Sequence, residues 1–306
     1  THARIPDTTL AKIVGRSKES VRYRIKQLEE KKIIRGFTTW IDLSKLGYNS
    51  AKMYLTLANK PQLKQEFIEF VCKDKRLFWL GIAEGAWNAG LTFFVRSNRE
   101  FFEIKQQLFS KFKDLILDSH TGMLVSVHVG GKKFLVYGRE QWITMFEKIE
   151  NHSLDAIEQR IVKELCLDAR INVVEIARRL HTTIDIVRHR MKKLEENRII
   201  VQYKAQIDFT VLGYEFYKTF LYFKNLTKAD EIRLREYART NEYILHVITQ
   251  ISPWDIELEI MCENYMQYNG VINALTREFA SIIVKVETAI MSEDYVFPAQ
   301  KMIFEQ

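Results

Sequence analysis

The 306 residues are 47% hydrophobic and 28% charged, with 12 Gly, 4 Pro and no low-complexity tract, which excludes a disordered chain and provides for two or more cores. No apolar run reaches the ~20 residues that span a bilayer, no signal peptide is visible, and the isolated Cys72, Cys166 and Cys262 fit no zinc spacing, so we expect a cytoplasmic protein with no cofactor, no metal site and no membrane partner. The net charge of +7 is uneven: residues 1–47 carry 11 basic and 5 acidic side chains, 48–151 carry 15 and 11, 152–213 carry 11 and 9, and 214–306 carry 9 and 14, which places phosphate contact at the N-terminal end and not in the last segment.

Thr8 or Thr9 can cap a short first helix carrying Leu10, Ala11 and Val14, and Gly15 permits a sharp turn after it. A second helix starts near Ser17, a good N-cap. Its Val21, Ile25 and Leu28 form one buried stripe at spacings of four and three, while Lys18, Arg22, Tyr23 and Lys26 fall largely on the other face. Ile33 and Ile34 open an extended segment, and Gly36 to Asp42 reads as a short hairpin or wing. Two short helices joined by a tight turn, the second basic and exposed, predict a helix-turn-helix, whose second helix fits the DNA major groove. The segment from Ser50 to Val129 then alternates as βαββαβ: strands over Ser50–Leu57, Arg76–Ala83, Leu91–Val95 and Met123–Val129, and helices over Leu63–Cys72 and Arg99–Phe112. That order predicts a ferredoxin-like layer of helices on an antiparallel sheet.

The whole plan then repeats. Ala3-Arg4-Ile5 returns as Ala169-Arg170-Ile171, Val21 to Ile34 as Val187 to Ile200, and Leu46-Gly47-Tyr48 as Leu212-Gly213-Tyr214, all 166 positions on. Eighteen of the 46 positions from Ala3 to Tyr48 are identical, so the period is that of whole domains and not of a solenoid repeat. In the second copy Ile176, Ala177 and Leu180 belong to the short helix and Thr182 or Thr183 caps the next. There Val187, Met191 and Leu194 form the stripe, with Arg188, His189 and Lys192 outward. Strands are predicted over Phe216–Phe223, Tyr243–Ile251, Ile256–Met261 and Ile282–Met291, with helices over Ala229–Arg239 and Met266–Phe279. Trp87 and Trp254 sit in matching turns, now 167 apart. An amphipathic helix over Leu154–Leu167 precedes the second Ala-Arg-Ile, whereas Thr1 and His2 alone precede the first, which suggests a first copy short of its opening helix.

The duplicated Val-x-x-Arg-x-Lys-x-Leu-Glu helix with Ile-Asp, Leu-Gly-Tyr and βαββαβ resembles the Lrp/AsnC transcription regulators, and more closely archaeal-type members in which two such units are fused. The resemblance implies an α+β chain of four parts: winged helix-turn-helix 1 over 1–47, a ligand-sensing RAM-like domain and linker over 48–151, winged helix-turn-helix 2 over 152–213, and a second RAM-like domain over 214–306. It also implies double-stranded DNA as partner, a small-molecule effector at the RAM interfaces, pairing of the two RAM domains as a covalent pseudo-dimer, and higher homo-oligomers. DNA-binding candidates are Ser17, Lys18, Ser20, Arg22, Tyr23 and Lys26 in the first copy and Thr183, Arg188, His189 and Lys192 in the second. The effector loop of the family commonly reads Gly-Asp-Tyr-Asp, so Gly85, Trp87 and Asn88, and Trp254 and Asp255, are the effector candidates. Both loops lack the first acidic residue, and the second, which begins Ser252-Pro253, lacks the glycine, which argues against conventional amino-acid sensing.

The favoured function is a non-enzymatic, sequence-specific regulator reading an asymmetric site with unlike halves, since the two recognition helices differ. Two rivals use the same scaffold. A sirohaem-decarboxylase-like enzyme would need histidines and arginines gathered at a tetrapyrrole pocket between the domains, whereas His120, His128, His152, His181 and His246 are scattered and do not recur between copies. An architectural DNA-binding protein would bind with little sequence preference.

Overall fold

The computed structural model describes residues 3–131 and 142–298. In chain order they form α1 (Asp7–Val14), α2 (Lys18–Glu30), β1 (Ile34–Ile41), β2 (Asn49–Leu57), α3 (Pro61–Val71), β3 (Leu77–Gly85), β4 (Ala89–Val95), α4 (Asn98–Lys111), β5 (Ile116–Val129) and β6 (Ile143–Met145). There follow α5 (Ala156–Leu167), α6 (Val173–Leu180), α7 (Ile184–Glu196), β7 (Ile200–Ile207), β8 (Glu215–Phe223), α8 (Lys228–Thr240), β9 (Ile244–Ile251), β10 (Ile256–Cys262), α9 (Tyr265–Glu278) and β11 (Ile283–Val296). A 3-10 turn over Leu43–Lys45 precedes β2. These elements divide between two compact units, one built from residues of 1–42 and 152–213, the other from residues of 43–151 and 214–297.

The first unit is helical. Its α1, α2 and β1 and its α6, α7 and β7 have identical bounds once shifted by 166 residues. Gly15 ends α1 at φ 62°, the left-handed conformation that the turn requires, while His181 takes the same role after α6 at φ 53°. Ser17 and Thr183 cap α2 and α7 by accepting the Ser20 and Ile186 amides. The start of α1 differs from expectation: Pro6 holds the N-cap position with no side-chain cap, and Thr8 and Thr9 lie inside the helix. Proline's fixed φ suits a helix start even though it brings no oxygen to cap with.

The predicted hairpin over Gly36–Asp42 does not form. β1 runs as one strand and pairs antiparallel with β7, from Ile34 opposite Ile207 to Ile41 opposite Ile200. The chain leaves Ile41 for the 3-10 turn without the tight reversal a hairpin needs, so the edge of β1 finds its hydrogen-bond partners in the other copy. Two bonds extend the pairing symmetrically: the Asp42 amide donates to Ile199 O and the Asp208 amide to Ile33 O, each at 2.9 Å.

The second unit is a closed ring. Each βαββαβ segment forms an antiparallel sheet, β5-β2-β4-β3 and β11-β8-β10-β9, with its two helices on the outer face. Strand β5 pairs with β2 through 116–123 and then with β9 through 123–129. Strand β11 does the same between β8 and β3. Both strands are 14 residues long and 167 positions apart, so each copy lends its last strand to the other. Sequence reading predicted only the second part of β5, because residues 116–122 alternate poorly; β6 was not predicted at all. One apolar core lies between each sheet and its helices, and a third, centred on Tyr54, Trp79, Trp87, Phe220 and Trp254, lies between the sheets.

Candidate nucleic-acid interface

Helix α2 buries only Val21 fully, and Ile25 and Leu28 are half-buried beside it. The opposite side carries the predicted contact residues. Ser17 is exposed and capping, Lys18 and Ser20 are half-buried, and the side chains of Arg22 and Lys26 are 61% and 74% exposed. Tyr23 is exposed, with its hydroxyl accepting from Gln27 Nε2 at 2.8 Å. Arg22 is engaged: it donates to Asp7 Oδ2 at 2.7 Å, and Arg170 reaches the other oxygen of the same carboxylate at 2.5 Å. The hydrogen bond from Arg22 leads the effects that hold the Asp7 carboxyl below its ordinary range. With Ile25, Lys26, Phe37 and Leu167 these groups line a groove of about 450 Å³.

Helix α7 buries Val187, Met191 and Leu194, because α5 packs across it. Outward lie Thr183, Arg188, His189 and Lys192, all exposed. Arg188 and Lys192 reach Asp185 and Glu196 only loosely, at 3.7 and 3.6 Å. The tightly held cations stand elsewhere. Arg190 and Lys193 converge on the buried Glu158 of α5, at 3.2 and 2.9 Å, and Arg190 also meets Asp155 at 2.9 Å. Glu158 completes a capping box with Asp155 at the start of α5. Arg178 and Arg179 clasp Glu175, and Arg179 also holds Glu164 at 2.6 Å.

Several residues of this surface were not singled out from the sequence. Lys12, Arg16, Lys31 and Lys32 stand exposed around α1 and α2 with no acidic partner among the described residues, as does Arg24, whose recurrence as Arg190 is visible in the sequence. Their sequence signal was the excess of basic residues in 1–47. The repeated Ala-Arg-Ile, visible but uninterpreted, proves to be the contact between the copies. Arg4 donates to Ala169 O and Ile171 O at 2.7 and 2.9 Å, and the Ala3 and Ala169 amides bond reciprocally to Tyr203 O and Phe37 O.

The effector candidates lie in the second unit. Trp87 and Trp254 are each 2% exposed and pack on Tyr54 with ring centroids 5.4 and 5.0 Å apart. Asn88 accepts from the Leu57 amide and Asp255 from the Phe223 amide, so both tie turns to neighbouring strands. Gly85 has φ 118°, and a side chain there would meet Thr288 O at 2.4 Å, which explains the glycine structurally. The histidines are not gathered: His246 bonds Glu259, while His128 meets Thr144, Ser126 and Arg235. Burial first, and Arg235 second, push His128 down to about 4.

A helical unit with the capped, exposed helix α7 and a second unit of ferredoxin-like sheets together define a mixed α/β fold with helix-turn-helix and RAM-type regions. The AsnC-type helix-turn-helix domain profile matches residues 154–195, which span α5, α6 and most of α7. The regulator LrpA of Pyrococcus abyssi is 55% identical over 47 residues, 15% of this chain and 33% of that protein. The regulator LrpB of Bacillus subtilis is 34% identical over 89 residues, 29% of this chain and 59% of that protein. The chain thus spans between a third and three fifths of these relatives. Together these matches show an AsnC-type helix-turn-helix region whose relatives include Lrp-type transcription regulators. Among solved structures, the siroheme decarboxylase NirDL has the same fold over 99% of this chain and 93% of its own, with a TM-score of 0.66 at 16% identity. No helix of the described residues is long and apolar enough to cross a membrane.

Proposed function

We propose that the chain is a sequence-specific transcription regulator of the Lrp/AsnC type in which both helix–turn–helix segments bind DNA. In this reading 1–47 and 152–213 are the two DNA-binding domains, 48–151 and 214–306 are RAM-like, and the chain is a covalent pseudo-dimer. The observation that carries it is the pair of exposed, capped helices α2 and α7, joined in one unit through β1 and β7 yet unlike in their outward residues. Lys18, Ser20, Arg22 and Tyr23 on one side face Ile184, Ile186, Arg188 and His189 on the other, so the operator is asymmetric. The test is selection of genomic fragments by the full-length chain at two salt concentrations. One asymmetric motif with unlike half-sites is the expected result. Binding without a motif, vanishing as salt rises, leaves phosphate contacts only and an architectural protein.

A second reading, a tetrapyrrole enzyme like the siroheme decarboxylase, is favoured by one feature besides the shared fold. The groove in the helical unit combines Arg22, Lys26 and Arg170 with the apolar Ile25, Phe37 and Leu167, a lining suited to a flat molecule with carboxylate arms. Asp7, Glu29 and Asp168 in the same lining oppose it, and Asp7 already neutralises two of those cations. Titration with sirohaem distinguishes the readings: a saturable Soret shift weakened by Arg170→Ala supports the enzyme, and an unchanged spectrum removes it.

A further inference from the structure

The inner faces of the two sheets carry buried charge where apolar packing would be expected. Lys52 on β2 is 4% exposed, Lys218 on β8 is 1% exposed and Glu257 on β10 is fully buried. Lys52 and Lys218 both donate to Glu257, each at 2.7 Å, and the Tyr54 hydroxyl donates to the same carboxylate. Lys218 also reaches Glu259, which bonds His246. Burial pushes the Glu257 carboxyl up, but the fields of Lys218 and Lys52 outweigh it and bring it down to about 2, so the group stays ionised.

The repeat shows which half brings which charge. Lys52 and Lys218 are equivalent positions, 166 apart. Glu257 and Glu259, at the spacing of 167 set by the two tryptophans, correspond to Gly90 and Thr92. Gly90 lies beneath Trp79 and Trp87, and even a Cβ there would come within 2.7 Å of the Trp79 ring, so the first half has no room for a carboxylate at that point. Each half therefore brings one lysine to the inner face, and only the second brings acids to balance them. Pairing the first-half face with another first-half face would bury two lysines with no carboxylate. Pairing two second-half faces would crowd four carboxylates around two lysines. Only unlike faces balance, and an uncompensated buried charge is far costlier than a surface one.

We propose that the network of Lys52, Glu257, Lys218 and Glu259 is a pairing code that admits the first-half sheet only against a second-half sheet, so that the surface its own chain supplies is the partner it fits. The code is independent of whether the protein reads DNA. It directs unlike copies onto each other and opposes the joining of two like copies from separate chains, which their shared ancestry would otherwise allow.

The test uses full-length Lys52→Met, Glu257→Leu and the double variant, each followed by chemical denaturation and by light scattering over a hundredfold range of concentration. Lys52→Met leaves Lys218 to answer both buried carboxylates and Glu257→Leu leaves Lys52 without one, so the denaturation midpoint of each single variant falls below wild type. The double variant removes both, keeps the balanced Lys218–Glu259 pair, and recovers most of the lost midpoint. Because like-with-like pairing is then no longer opposed, the double variant also gains a concentration-dependent association absent from wild type. A double variant that assembles as wild type does at every concentration overturns the proposal, as does one no more stable than the single variants.

Discussion

The two halves of the chain share a pattern but not a charge plan. In the first, Lys12, Arg16, Lys18, Arg24, Lys31 and Lys32 surround α1 and α2 without an acidic partner among the described residues. In the second, Arg178, Arg179, Arg190 and Lys193 are tied to Glu175, Glu164 and Glu158. The apolar faces differ in parallel: Val14 is 50% exposed where its counterpart Leu180 is 7% exposed. Between the sheets the asymmetry continues, with two carboxylates from the second half serving one lysine from each. One copy thus offers positive charge outward while the other uses its charge to hold itself and its partner. Two copies of one motif can thus come to use their charge differently through the placement of a few acids.

The largest expected effect comes from removing the cation at the centre of the buried network. Lys218→Met leaves Glu257 with Lys52 alone and Glu259 with His246, and should cost about 3–5 kcal/mol in a guanidinium titration. Lys52→Met leaves Glu257 paired with Lys218 and should cost clearly less; equal losses would erase the distinction between the halves.

His128 provides a pH test of the second unit. Its folded value, about 4, lies below the unfolded ~6.5, so its contribution is fully present above pH ~6.5 and is lost as pH falls toward 4. That loss should reach roughly 3 kcal/mol, and His128→Gln should flatten the stability curve across that window. An unaltered curve would mean that His128 titrates alike in the folded and unfolded chain.

Glu158→Gln should cost about 2 kcal/mol, because Arg190 and Lys193 lose their buried anion while Arg190 keeps Asp155. Urea unfolding followed by tryptophan-independent circular dichroism would measure it. The same variant releases Lys193 and loosens Arg190 beside α7, so any gain in DNA affinity would show that the second copy is held back by its own ion pairs.

The smallest effects separate the DNA contacts. Lys18→Ala and Arg24→Ala should each lower the slope of log affinity against log salt by ~0.9 if the side chain neutralises one phosphate. Arg178→Ala should leave the slope unchanged, since its charge is already answered by Glu175. Equal slopes for all three would break the contrast between the copies.

The ferredoxin-like segments were legible because their strands alternate and their helices carry apolar residues at spacings of three and four; most predicted bounds lie within a residue or two of the observed ones. The helix–turn–helix pattern was legible from capping residues and a glycine, Ser17, Thr183 and Gly15. What failed was the hairpin after Ile34, because a lone β-branched strand carries no mark of where its partner lies. Arg22 reads as a DNA contact from its exposure on a helical wheel, and the fold adds that it is held by Asp7, 15 residues away, whose other carboxylate oxygen is taken by Arg170. Lys52 and Glu257 drew no notice, since one charged residue in a strand looks like a solvated face until the opposite sheet is in place.

By itself the sequence determined the repeat, its period, the order of elements and the polarity of charge along the chain, because these depend on local spacing and composition. The tertiary structure alone decided that β1 joins β7, that β5 and β11 cross between the sheets, and which charges are answered within the fold. The strand pairings and the Lys52–Glu257 bond join residues 100 or more positions apart, where the deciding quantity is the cost of leaving a backbone edge or a buried charge without a partner.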